Sequence, residues 1–184
     1  MKTGILVRKL IHVSSLVFVV LPLKLSNVGL VIIGTLYTLS EILRLYGIKF
    51  PIVYDITMFC AYPSEKKKFM KRPLLLILAY LILLNFFSPQ AYLSGLLTTT
   101  ISDSVAAIIG LMIGKRKIYK NKTLEGFSVM FLSSFTIIVS LTQNGWFALF
   151  ASIVAAVFEL LSGEWDNFLV PVSVAVVVEA FRIV

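Results

Sequence analysis

The chain has 184 residues, of which 59% are hydrophobic and 14% charged, and its mean hydropathy is +0.97. A soluble domain carries about 45–50% apolar and about 25% charged residues. This chain therefore has more apolar surface than an interior of its size can hide, which excludes a soluble globular protein and predicts one compact membrane domain over residues 1–184. The net charge of +8 does not signal nucleic acid, because basic residues beside apolar segments set membrane orientation. One cysteine, Cys60, excludes an internal disulfide, and one histidine, His12, argues against a His/Cys zinc cluster.

A helical span needs about 20 mostly apolar residues, and seven such segments follow in chain order. The first covers residues 6–23. Its basic start and apolar run mimic a signal peptide, but Pro22-Leu23-Lys24 stands where a small-residue cleavage site would be, so a retained helix is expected. The second covers 27–46. A polar stretch over 47–72 holds Pro51, Pro63 and the run Glu65-Lys66-Lys67-Lys68, then Lys71 and Arg72. The third covers 73–87, with Pro73 at a first helical position, and Ser88-Pro89-Gln90 marks a turn. The fourth covers 91–114 and leads into a basic loop over 115–122. The fifth covers 127–141, the sixth 146–161, and the seventh runs from 168 onward, after a short acidic loop over 162–167. The fold expected is all-α, a polytopic bundle of about seven transmembrane helices. The two basic loops belong on the cytoplasmic side by the positive-inside rule, and alternation then puts the N-terminus there too.

Charges within spans are costly, by about 2.5–3.5 kcal/mol at a helix centre, so each asks for a partner or a function. Arg8 and His12 share a helix face with Lys9 beside them. Glu41 with Arg44, and Glu179 with Arg182, have the spacing of self-satisfied pairs. Asp103, in Ser102-Asp103-Ser104, has no cation near it in sequence. It requires a cation from another helix or else holds a metal ion or accepts a proton. Gly110 and Gly114 have the spacing that lets helices approach closely. Gly114-Lys115 and Lys122-Thr123-Leu124-Glu125-Gly126 put lysines, a hydroxyl and a glycine beside a helix start, which is what phosphate binding requires, although the P-loop spacing is absent. Glu159 and then Asp166-Asn167 offer hard oxygens of the kind magnesium takes together with substrate phosphates. The alternative for Asp166 or Asn167 is to cap the last helix.

In this order, Arg8-Lys9-x-x-His12, Ser102-Asp103-Ser104, Gly110, Gly114-Lys115, Lys122-Thr123-x-Glu125-Gly126, Glu159 and Asp166-Asn167-x-x-x-Pro171 resemble the CTP-dependent lipid kinases. That family includes dolichol, phytol and farnesol kinases and the CTP-dependent diacylglycerol kinase, and is related to the phosphatidate cytidylyltransferases. The resemblance implies transfer of the γ-phosphate of CTP, or another nucleoside triphosphate, to the hydroxyl of a membrane lipid alcohol, in a site facing the cytoplasm. It implies Asp103, Glu159 and His12 as catalytic residues, and Asp103, Glu159 and Asp166 as ligands of Mg2+. It further implies Arg8, Lys9, Ser102, Ser104, Gly114, Lys115, Lys122, Thr123, Glu125, Gly126 and Asn167 as nucleotide and phosphate contacts, Glu125 either binding magnesium or holding Lys122. Two alternatives remain open from sequence. One is a cytidylyltransferase making a CDP-lipid, the other a small ion-coupled transporter with Asp103 and Glu159 as its ion site. The lipid and the oligomeric state are not fixed by these residues.

Overall fold

A computed structural model describes residues 2–61 and 65–183, so Pro63 of the polar stretch lies outside the described residues. The first apolar segment is two helices, α1 (Lys2–Ser14) and α2 (Val17–Val20). The Ser15 hydroxyl donates to the His12 carbonyl at 2.5 Å where they divide, a local bond that competes with the helix ladder. Pro22 separates α2 from α3 (Leu23–Leu45), which ends one residue short of Gly47 at a φ of 86°, a left-handed backbone that glycine supplies without strain. The stretch expected to be loop contains a further helix, α4 (Val53–Cys60). It packs against α1 so closely that a Cβ on Gly4 would stand 2.4 Å from the Phe59 carbonyl oxygen.

Next come α5 (Arg72–Phe86), with proline in its first turn, and α6 (Pro89–Leu97), capped by the Ser88 hydroxyl. A π-helical turn (Thr98–Ser102) joins α6 to α7 (Asp103–Ile113) in one helical run. The basic loop is a small antiparallel hairpin, β1 (Lys117–Tyr119) and β2 (Lys122–Thr123). Thr123 then caps α8 (Leu124–Thr142), and the Asn144 side chain caps α9 (Gly145–Leu161). A 3-10 turn (Gly163–Trp165) leads into α10 (Asp166–Ile183).

Four described helical segments, Thr3–Val20, Leu23–Leu45, Pro89–Ile113 and Leu124–Thr142, are long and apolar enough to cross a membrane, while the apolar helices Arg72–Phe86 and Gly145–Leu161 are shorter. The core lies where α5, α6, α8, α9 and α10 meet, with Tyr80, Leu83, Leu96, Met130, Ile138 and Val174 fully buried. Ala148, Ala151, Ala155 and Ala156 put small side chains along α9, which brings it close to α8 and α10 on either side. Gly95 serves α6 in the same way: a Cβ there would stand 2.3 Å from the Pro171 carbonyl oxygen of α10. Glu41 and Arg44 form the expected pair, doubly bonded at 2.9 Å. Glu179 reaches Arg182 at 3.4 Å and also accepts from the Ser88 hydroxyl at 2.5 Å.

Candidate functional site

A cavity of about 1050 Å³ opens at one end of the bundle. Its walls come from the first half of α1, the start of α5, α7, the hairpin, the end of α9 and the turn into α10. The volume reaches the upper end of the range of small-molecule sites, about 300–1,000 Å³. Elements far apart in sequence meet here because the packing of α7 on α8 and of α9 on α10 brings their ends together. The α7–α8 contact is close. Gly110 lies beside Gly126, and a Cβ on Gly114 would stand 2.6 Å from the Thr123 hydroxyl.

Asp103 is the first residue of α7, just after the π turn, and is 4% exposed. Its carboxylate is met by the Lys9 ammonium from α1, a cation from another helix, one of the alternatives the sequence left open. The His12 ring stands behind it, Nδ1 3.9 Å from Oδ2. Glu159, near the end of α9, pairs with Lys122 of β2. Burial opposes the charge on Lys122, but Glu159, Asp103 and Asp166 outweigh it and hold the ammonium above the usual lysine range. Asp166 accepts from Arg72 Nη1 at 3.2 Å, and the Asn167 side chain donates to the Arg72 carbonyl at 3.1 Å.

Arg8, Lys9, Asp103, Lys122, Thr123, Gly126, Glu159, Asp166 and Asn167 thus line one space. Six other candidates stand outside that lining. His12, Ser102 and Ser104 are buried behind it, and Ser104 donates to the Thr100 carbonyl at 2.5 Å. Gly114 and Lys115 lie beyond its edge. Glu125 accepts from the Arg116 backbone N–H at 3.4 Å, so it is Glu159, not Glu125, that holds Lys122. Thr123 spends its hydroxyl as acceptor from the Gly126 N–H.

Three lining residues read from sequence only as part of the basic loop, Glu65, Lys71 and Arg72, have structural partners. Glu65 forms ion pairs with Arg72, Nε to Oε1 at 2.9 Å, and with Arg8 at 3.4 Å. Arg8, Glu65, Arg72 and Asp166 therefore form a chain of alternating charge across the cavity wall. Its one signal in sequence is a lone acid within a basic run. Lys71 pairs with Glu164 at 3.1 Å and holds that carboxyl below its usual range through the hydrogen bond between them.

Among the described residues, no three His, Cys, Asp or Glu side chains form a ready metal cage. The donors present fit magnesium in its other habit, one or two carboxylates completed by substrate phosphates, since Asp103, Glu159 and Asp166 all line the same cavity.

Among curated proteins, the chain is 33% identical over 177 residues to "Uncharacterized protein MJ1137" of Methanocaldococcus jannaschii, a match covering 92% of this chain and 85% of that one. It is 36% identical over 97 residues to "Dolichol kinase sec59" of Schizosaccharomyces pombe, covering 48% of this chain but 19% of that protein's length. No family model matches the chain, and no solved structure matches it.

Proposed function

The chain belongs to the family of the Methanocaldococcus jannaschii protein, and from that premise we propose that it is an integral membrane lipid kinase. It transfers the γ-phosphate of CTP, or another nucleoside triphosphate, to the hydroxyl of a membrane lipid alcohol, most simply a polyprenol, dolichol or other isoprenoid alcohol. One observation carries the reading: six cations and five acidic side chains from distant elements converge on one cavity beside apolar helices. The partial similarity to a dolichol kinase supports it.

Phosphoryl transfer is mostly positioning and neutralisation of phosphate charge, and this lining supplies both. Lys9 and Lys122 each lie against a carboxylate and can turn to a phosphate oxygen. Arg8 and Arg72 are held in place by Glu65. Asp103, paired with Lys9, orients the acceptor hydroxyl and takes its proton as the new oxygen–phosphorus bond forms and the bond to the departing nucleoside diphosphate breaks. His12 packs behind Asp103 and fixes its direction. Asp103, Glu159 and Asp166 are the residues to hold Mg2+, which when bound supplies further neutralisation of phosphate charge. The acceptor's tail passes along the apolar side of the cavity, where Ile5, Ala106, Ala107, Leu111 and Leu160 stand.

The test is purified protein with magnesium, labelled CTP or ATP and a panel of lipid alcohols. A monophosphorylated lipid and a nucleoside diphosphate are expected. A CDP-lipid with pyrophosphate would make the protein a nucleotidyltransferase. Absence of any labelled lipid would end the kinase reading.

A further inference from the structure

The cavity has an aromatic end that phosphate chemistry leaves unused. Trp165, in the 3-10 turn between α9 and α10, lines it, as do Tyr119 and Asn121 of the hairpin. The Lys71 ammonium sits 4.8 Å from the indole centroid and so covers one face of the ring. Trp165 is still 47% exposed and lines the cavity, so part of the ring is accessible to a flat ligand there. Two pairs of consecutive residues meet here. Lys71 lies on Trp165, and Arg72 bonds Asp166. One residue along each strand of chain, the wall changes from aromatic to ionic, as a ligand with a planar head and a polyanionic tail would require. The hairpin turns at Lys120, whose backbone lies in the left-handed region at a φ of 48°, which is uncommon for a residue other than glycine. Lys120 stands over Tyr119, 5.0 Å from its ring centre, giving a second aromatic–lysine pair on the same lining.

We propose that the indole of Trp165 is the platform on which the nucleoside triphosphate's base stacks, with Tyr119 and Asn121 completing the base end of the cavity. This rests on the reading of the cavity as a nucleotide site. Stacking on an aromatic ring contributes measurably to binding of each base, and because every base has a flat face it fixes position more than it selects a base.

The chain has two tryptophans, and Trp146 sits at the far end of α9, about 25 Å of helix away. Trp146→Phe therefore leaves Trp165 as a private fluorophore. In this variant, CTP is expected to quench the emission saturably, and inorganic triphosphate is not. Trp165→Ala should raise the KM for the nucleotide about tenfold or more, whereas Trp165→Phe, which keeps a ring, should change it less than about threefold. The inhibition constant of inorganic triphosphate should stay unchanged in both. Equal responses to CTP and triphosphate, as from a tryptophan that only anchors the helix end at the membrane surface, would overturn the proposal. So would an unchanged KM in Trp165→Ala. Lipid phosphorylation by Trp146→Phe separates the two readings. Turnover without CTP-specific quenching sinks the platform alone. Quenching without turnover keeps the platform and sinks the kinase. The absence of both sinks both.

Discussion

Asp103 is a carboxylate at the start of a helix whose neighbours are otherwise apolar or hydroxylic, and its partner Lys9 comes from 94 positions away. A group so placed is set by tertiary contact, and the role proposed for it depends on its charge. Asp103→Asn keeps the shape and removes the charge, and its expected effect is a loss of about 100-fold or more in kcat, with the helical circular dichroism spectrum retained and the melting temperature lowered because Lys9 loses its buried partner. Turnover within a few-fold of the parent would remove Asp103 from the proton-accepting role. Lys122 and Glu159 test a different property. Removing Lys122 leaves a buried carboxylate without its partner, which is unfavourable. Lys122→Ala should therefore melt lower than Lys122→Ala/Glu159→Gln, in which the stranded charge is gone. If the double variant melts no higher than the single one, the pair is not coupled as described. At this scale the sequence exposed which residues were unusual, since a charge in an apolar run stands out. It did not expose which charges meet. The Lys9–Asp103 and Arg72–Asp166 pairs join segments whose spacing says nothing of each other, and Glu65 looked like one more member of a basic run.

At the scale of elements, the apolar runs marked the helices to within a few residues, because length and hydropathy decide them. The polar stretches were less legible. The short helix α4 lies in a segment punctuated by prolines and lysines, and the hairpin over Lys117–Thr123 carries no turn signal stronger than Lys120-Asn121. The π turn over Thr98–Ser102 was also invisible, since its composition reads as ordinary helix. That turn bears on the site directly. It widens the helix by about one residue just before Asp103, while α6 is fixed against α10 by the Gly95–Pro171 approach. Deleting Thr99 takes out that extra residue, so the run should close into a regular α-helix with α7 still in phase and Asp103 still on the cavity side. Inserting one alanine between Ser102 and Asp103 should instead turn Asp103 about 100° around the axis, off the cavity. Helix content by circular dichroism should be retained in both variants, and lipid phosphorylation lost in the insertion variant alone. Full activity in the insertion variant would mean that the helix phase at this turn does not aim Asp103.

For the whole molecule, the first half of α1, the start of α5, the hairpin and the α9–α10 turn all reach one cavity. On the proposed reading they face the cytoplasm, as the basic-loop asymmetry leads one to expect. In a Cys60→Ser background, a cysteine at Lys117 should resist a membrane-impermeant maleimide applied to intact cells, and one at Gln143 should react. The reverse pattern would invert the orientation. A further consequence belongs to the ion pairs around the cavity. Lys9, Lys122, Arg72 and Lys71 each already have an acidic neighbour, so an incoming triphosphate does not fill a positive hole. On the proposed reading it exchanges partners, and Lys9 or Lys122, on turning to it, strands a buried carboxylate, Asp103 or Glu159. Uptake of the anion is thereby tied to uptake of compensating positive charge, and the tie runs both ways by thermodynamic necessity. The donor and its divalent ion should each raise the affinity for the other by the same factor.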